Sequence, residues 1–207
     1  VFRLLPEHEA AVIEMGMSEF GEMARLAQVA RPTCAVMTNI GISHIENLKT
    51  QENIRAEKLH ITDAFAEDSV LFLNGDDPLL AQLRGTLPCR IAFFGTQPWC
   101  DVYAEKIVSR GGTTEFTAVS REFRVPVTLP VPGEHNVLNA LASLAVAQYL
   151  GVSPHKAAER LQTYSPPAMR QQIHQVGGIT VIDDSYNASP DSMRSSINIL
   201  MDLKGSG

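Results

Sequence analysis

The chain has 207 residues, of which 44% are hydrophobic and 19% charged, with a formal net charge of −6. That composition suits a globular protein with room for one substantial core, or one domain and part of another. The acidic balance, with no basic run, speaks against a nucleic-acid groove or an anionic membrane surface as partner. No apolar stretch approaches the roughly 20 residues of a membrane span, and no signal-peptide pattern opens the chain. The three cysteines, Cys34, Cys89 and Cys100, lack CxxC spacing. Because Cys34 and Cys89 sit in apolar runs, buried free thiols in a reducing cytoplasm are expected.

Taken in order, the chain starts with a short apolar run, Ala10–Glu14, that ends in an acid. Helical spacing over Glu22–Ala30 stops before Pro32, and Thr33–Thr38 reads as a buried strand. A helix is predicted over Glu52–Ala66 and a strand over Val70–Leu73, running into the turn Asn74-Gly75-Asp76-Asp77-Pro78. Leu79–Arg84 reads as a short helix and Arg90–Phe94 as a third strand. Strands separated by helices imply a mostly parallel sheet flanked by helices. The pattern then changes. Val102/Ala104 and Phe116/Ala118 alternate about Arg110-Gly111-Gly112, and Phe123/Val125/Val127 follows, which predicts a small antiparallel element. After Gly133-Glu134-His135-Asn136 comes a clean helix with Val137, Leu138, Leu141, Leu144, Ala145 and Tyr149 on one face, closed by Gly151. Ser153-Pro154 caps and starts a helix through about Thr163. Pro166-Pro167 reads as a linker. Beyond it come a strand, Ile179–Ile182, and a helix, Pro190–Leu203, with Ser189 as N-cap. Residues 1–167 form one α/β domain on this reading, and 168–207 the first βα unit of another. Both ends, Val1 and Gly205-Ser206-Gly207, look cut from a longer polypeptide.

Polar residues cluster where strands end, the usual ligand position in an open α/β sheet. They are Glu14, Asn39–His44, Asn74–Asp77 and Asp183-Asp184. Lys58 shares a helical stripe with Ile54, Ile61 and Phe65 by i, i+4, i+7 spacing. Its stem can pack while the ammonium snorkels to water, or the amine can be desolvated and reactive, and pattern alone leaves both open. His44 follows a predicted buried strand. It suits a hydrogen-bonded loop residue or, with Glu14, a ligand for Mg²⁺ whose shell a phosphate completes. His135 and Asn136 open a helix, where free N–H groups and the dipole favour an anion or a polar ring. Capping accounts for Asn136 but not for Asn139, one turn on.

In order along the chain, Ile13-Glu14-Met15-Gly16-Met17-Ser18, Gly21-Glu22, Asn39-Ile40-Gly41, Ser43-His44-Ile45-Glu46, Glu52-Asn53-Ile54 with Lys58, Asn74-Gly75-Asp76-Asp77-Pro78, Gly133-Glu134-His135-Asn136-Val137-Leu138-Asn139 and Asp183–Pro190 resemble the Mur ligases. Most of these motifs are shared with folylpolyglutamate synthetases. The last is narrower and resembles the Asp-Asp-Ser-Tyr-Asn-Ala-Asn-Pro signature of members that add D-alanyl-D-alanine. Ser189 departs from it, as do His60 and Lys49-Thr50 from residues common elsewhere in the family.

The resemblance implies an ATP- and Mg²⁺-dependent ligase, cytoplasmic and monomeric, with a Rossmann-like C-terminal domain. Its substrates would be UDP-N-acetylmuramoyl-tripeptide and D-alanyl-D-alanine, joined through an acyl phosphate during peptidoglycan precursor synthesis. By position, Glu14 is implied as ligand of one Mg²⁺. His44 and a carbamylated Lys58 are implied at a second Mg²⁺ and in catalysis. His135, Asn136 and Asn139 are implied at the adenine, and Arg170 with Asp184 or Asp183 at the phosphates and ribose. No G-x-x-x-x-G-K-[ST] phosphate loop occurs in the chain. The 207 residues alone are therefore expected to bind ATP poorly and not to ligate. Two other readings are another amide ligase of the superfamily and a non-catalytic nucleotide-binding module.

Overall fold

The structure is a computed structural model and describes residues 4–204, without the side chains of Asp191, Asp202 and Lys204. The expectation that the ends are cut concerns residues outside this range. The chain divides into two compact units. Unit 1 is Val1–Leu73 with Asp77–Ala92, and unit 2 is Asn74–Asp76 with Phe93–Gly207. Among the described residues no helix is long and apolar enough to cross a membrane.

In unit 1, α1 spans Glu22–Ala30, as its spacing predicts. It buries Met23 and Ala27 and ends at Arg31, in the left-handed region (φ 44°) just before Pro32. Strand β1 (Cys34–Met37) pairs in parallel with β2 (Val70–Asn74), in the register Cys34↔Val70 to Met37↔Leu73. Every residue of β2 is buried, which is why Val70–Leu73 reads as an unbroken apolar run, with the buried Asn74 at its end. Between the two strands lie α2 (Ile45–Leu48), which the sequence did not announce, and α3 (Gln51–Leu59). Thr50 caps α3 by accepting from Asn53 N–H at 3.1 Å. The helix stops short of the predicted Ala66, tightening into a 3₁₀ turn over His60–Thr62. There Thr62 Oγ1 donates to Leu59 O and Ser69 Oγ accepts from Ala66 N–H, local bonds that compete with further α-helix. Helix α4 is only Pro78–Ala81, with Pro78 at its first position and Asp77 as N-cap. Strand β3 (Arg90–Gly95) starts in this unit, where the strand order is β1-β2-β3.

Ala10–Glu14 is not a strand. It has no regular structure, and Val12 and Ile13 are exposed, because no strand pairs with the run among the described residues.

In unit 2 the order is β3-β4-β5-β6, with β4 (Val102–Arg110), β5 (Thr113–Ser120) and β6 (Arg124–Leu129). Strand β3 pairs with β4 in parallel, while β4, β5 and β6 pair antiparallel. Gly111 and Gly112, at φ 57° and 85°, make the β4–β5 turn that the pattern predicted. Helix α5 (Glu134–Tyr149) lays Val137, Leu141 and Leu144 on the sheet, each buried residue contributing about 1.5–3 kcal/mol. Helix α6 is Pro154–Leu161, two residues shorter than expected, and Ser153 precedes it without a side-chain capping bond.

An unforeseen strand, β7 (Gln172–Val176), pairs antiparallel with β8 (Ile179–Asp183) about Gly177-Gly178. Helix α7 (Pro190–Lys204) follows, and Ser189 Oγ accepts from Ser192 N–H at its start, as predicted. All three cysteines are free, but only Cys100 is buried. Cys34 and Cys89 are half-buried, and desolvation raises both thiol pKa values, so they are poor nucleophiles.

Candidate functional site

In unit 1 the loop after β1 is held by its peptide groups. Lys58 Nζ donates to Asn39 O at 3.0 Å, and Ile40 N–H donates to Asp77 Oδ2 at 2.7 Å. Gln51 Nε2 donates to Ile40 O at 2.7 Å. Asp77 also accepts from Leu79 and Leu80 N–H through its other oxygen, so one carboxylate ties the β1 loop to the start of α4. Lys58 lies on the apolar stripe with Ile54 and Ile61, both buried. Burial pushes its pKa down, while the nearby Asp77 charge pushes the other way. Desolvation of this half-buried amine gives it a larger neutral fraction than one in water.

The deepest charge on α3 is its neighbour Glu57, only 3% exposed. Its two oxygens accept from Gly21 and Met23 N–H, each at 3.0 Å. This carboxylate caps α1 from 34 and 36 residues away, where Gly21 offers no side chain to do so. Nothing in the sequence signalled it, since its partners are backbone atoms.

Glu14 lies exposed in the segment before α1. His44 is exposed at the start of α2 in the left-handed region, at φ 62°. Nearby, the Glu22 carboxyl is held below its usual range first by the Ser18 and Glu19 N–H groups. Among the described residues no three His, Cys, Asp or Glu side chains converge on a point where a cation could sit. The chain's own donors thus do not bring Glu14 and His44 into a complete metal shell.

In unit 2 the start of α5 is the centre of a side-chain network. Gly133 precedes the helix at φ 101°, and a Cβ there would lie 2.6 Å from His135 Cε1. His135 Nε2 is 2.7 Å from Gln171 Oε1, and its Nδ1 is 2.9 Å from Ser195 Oγ on α7. Burial lowers the imidazole pKa, partly offset by Gln171 and Asp184. Asp184 accepts from Gln171 N–H at 3.2 Å and from the Ser196 hydroxyl. Asn136 Nδ2 donates to Pro132 O at 2.7 Å, whereas Asn139 is exposed and stands apart from the network. Asp183 turns to Ser185, accepting from its N–H and its hydroxyl. Arg170 is exposed, with its guanidinium carbon 4.1 Å from the Tyr186 ring centroid.

Of the expected nucleotide residues, His135 and Asp184 are joined through Gln171, and Arg170 is that glutamine's chain neighbour. Gln171, Ser195 and Ser196 were not singled out in the sequence. Asp183 and Asp184 also line a hollow of about 650 Å³ between the β7–β8 hairpin and α7.

A family profile described as the Mur ligase middle domain matches residues 1–147. This chain belongs to the Mur ligase family. It is 37% identical to the UDP-N-acetylmuramoyl-tripeptide–D-alanyl-D-alanine ligase of Bacillus subtilis strain 168, covering 98% of this chain and 44% of that protein. Among solved structures it is similar to MurF from Acinetobacter baumannii, with a TM-score of 0.91 and 30% identity over 97% of this chain and 44% of that one. It is also similar to the MurF ligase from Thermotoga maritima in complex with ADP, with a TM-score of 0.78 and 28% identity over 89% of this chain and 43% of that one. The chain thus spans less than half the length of these Mur ligases. The mixed sheet, parallel at first and then antiparallel, is the architecture that the order of strands and helices in the sequence implied, and it is shared with these structures.

Proposed function

We propose that this chain is the central part of an ATP-dependent ligase that joins D-alanyl-D-alanine to UDP-N-acetylmuramoyl-tripeptide in cytoplasmic peptidoglycan precursor synthesis. The observation that carries this reading is the reach of the similarity. The match to a D-alanyl-D-alanine ligase covers 98% of the chain and so extends past the middle-domain profile, which ends at residue 147. The signature Asp183–Pro190 lies in that further stretch. We place the boundary between the central domain and the next at Pro167.

The nucleotide belongs at the start of α5 on this reading. His135, Asn136 and Asn139 would face the adenine, with Arg170, Asp183 and Asp184 toward ribose and phosphates. The site's chemistry fits such a ligand. A helix start offers unpaired N–H groups, and desolvation favours the neutral form of the His135 imidazole. Glu14 would hold one Mg²⁺, and His44 with carbamylated Lys58 a second, each only together with phosphate oxygens, since among the described residues the protein side chains alone do not converge. Bound ATP supplies the phosphoryl group that activates the peptide carboxylate, and Mg²⁺ neutralises its charge. Within the chain, Asp77 and Lys58 fix the Asn39–Ile40 peptide, and Gln171 fixes His135 against Asp184.

Phosphate release by the product of the whole open reading frame tests the proposal, with the muramyl tripeptide, ATP and either D-alanyl-D-alanine or single amino acids. Turnover with the dipeptide is expected. Turnover only with a free amino acid would place the protein elsewhere in the family.

A further inference from the structure

Arg170 is presented in an unusual way. The residues on either side of it, Met169 and Gln171, both have left-handed backbones, at φ 63° and 49°. A non-glycine residue there costs about 1–2 kcal/mol, so two in three positions need an outside restraint. The restraints are all visible. Tyr186 N–H donates to Met169 O at 3.0 Å, and Arg170 N–H donates to Pro167 O at 3.2 Å. Gln171 N–H donates to Asp184, and the Gln171 side chain reaches His135 and Ser195.

The side chain then meets the Tyr186 ring, 4.1 Å from guanidinium carbon to centroid. No carboxylate among the described residues lies within ion-pair distance of Arg170, since the ion pairs found are His60–Asp63 and Arg124–Glu105. Contact with an aromatic face engages the π surface of a guanidinium and leaves its in-plane N–H fork for another partner. A cation held on a ring, with no carboxylate partner among the described residues, is prepared for an oxyanion.

We propose that Tyr186 is a positioning residue that holds the Arg170 guanidinium, through its ring face and its backbone N–H to Met169, for a phosphate group of the nucleotide. The inference rests on the reading of Arg170 as a phosphate contact. It assigns the ring, and not the phenol hydroxyl, to the task, so phenylalanine should serve as well. It also separates Tyr186 from any direct contact with the dipeptide substrate.

The test uses the protein from the whole open reading frame, as wild type, Tyr186→Phe, Tyr186→Leu, Arg170→Met and the Arg170→Met/Tyr186→Leu double variant. Affinity for a non-hydrolysable ATP analogue and the separate KM values for ATP and D-alanyl-D-alanine are measured. An exposed stack of this kind should be worth about two- to fivefold in nucleotide affinity. Tyr186→Leu should therefore raise the nucleotide Kd and the KM for ATP by that factor, with the KM for dipeptide unchanged. Tyr186→Phe should match wild type, and Tyr186→Leu should have no further effect once Arg170 is methionine.

Three results would overturn the proposal. Weakening by Arg170→Met with no change in Tyr186→Leu leaves the phosphate reading intact and removes Tyr186 from it. A raised KM for dipeptide in Tyr186→Leu makes the residue a substrate contact. An unchanged Kd in Arg170→Met removes the phosphate reading and the positioning role together. In that case the upfield ring-current shift of the Arg170 Nε–H, lost in Tyr186→Leu, tells whether the stack itself forms.

Discussion

Lys58, Asp77 and Glu57 in unit 1 are bound to peptide groups, whereas in unit 2 the His135 and Arg170 side chains meet other side chains and Asp184 divides between one peptide N–H and one hydroxyl. The difference bears on how each region tolerates change. A carboxylate that satisfies backbone N–H groups fixes a loop whatever side chains the loop carries, and removing it takes the acceptor from several of them at once. A side-chain network loses one bond at a time. Unit 1 should therefore lose stability or chemistry steeply on single substitutions, and unit 2 should lose them in small steps.

The largest effect is expected at Lys58. If its amine becomes a carbamate that helps hold Mg²⁺, Lys58→Met should lower the ligation rate of the whole protein by about 100-fold or more. Thermal stability should change little, because one lysine–carbonyl bond contributes only about 1 kcal/mol. Intact-protein mass spectrometry in bicarbonate should find the added CO₂ in wild type and not in the variant. A variant with full activity would remove Lys58 from the chemistry.

Glu57→Leu should come next, at about 3 kcal/mol of folding stability, because the Gly21 and Met23 N–H groups lose their acceptors. Glu57→Gln, which keeps one acceptor oxygen, should fall between wild type and leucine. Denaturant unfolding measures both, and equal stability of all three would break the contrast between the units. In unit 2, Ser195→Ala should cost about 1 kcal/mol, the ordinary value of one hydrogen bond, by the same measurement.

The smallest effect is on pH. Burial lowers the His135 pKa below its ordinary value of about 6.5, so on acidification the unfolded chain takes up the proton first. Stability is unaffected above about pH 6.5. It is lost as the pH falls from there through the folded-state value, below which the loss stops growing. His135→Gln should show a shallower fall in Tm between about pH 7.5 and 5.5. A parallel fall would mean that other groups carry the acid sensitivity.

Where periodicity met tertiary burial, the sequence was readable. Helix α1 has the predicted limits, and β1, β2 and β3 lie within a residue or two of theirs, while α5 buries Val137, Leu141 and Leu144 from the predicted face. The run Ala10–Glu14 misled because apolar residues make a strand only where a neighbour pairs with them. Helix α2 is four residues long, too short for a 3.6-residue repeat to show. Strand β7 did have a signal, since Gly177-Gly178 between two short β-prone runs is a hairpin pattern.

The candidate site was legible by chemistry and not by contact. Lys58 showed itself through its stripe, and Asp77 through its place at a strand end. Glu57 and Gln171 did not, since their roles depend on partners 34 and 36 residues away in sequence.

Gly133 sets a limit on how this region can vary. Any side chain at that position would be strained by its φ of 101° and would press on His135 Cε1. The imidazole cannot yield without releasing Gln171 and Ser195, which lie 36 and 60 residues further along the chain. A codon change at one glycine would thus be felt in two distant segments at once. A library randomised at position 133 and selected for function should return glycine almost alone, even though the residue itself contacts no ligand in the proposed chemistry.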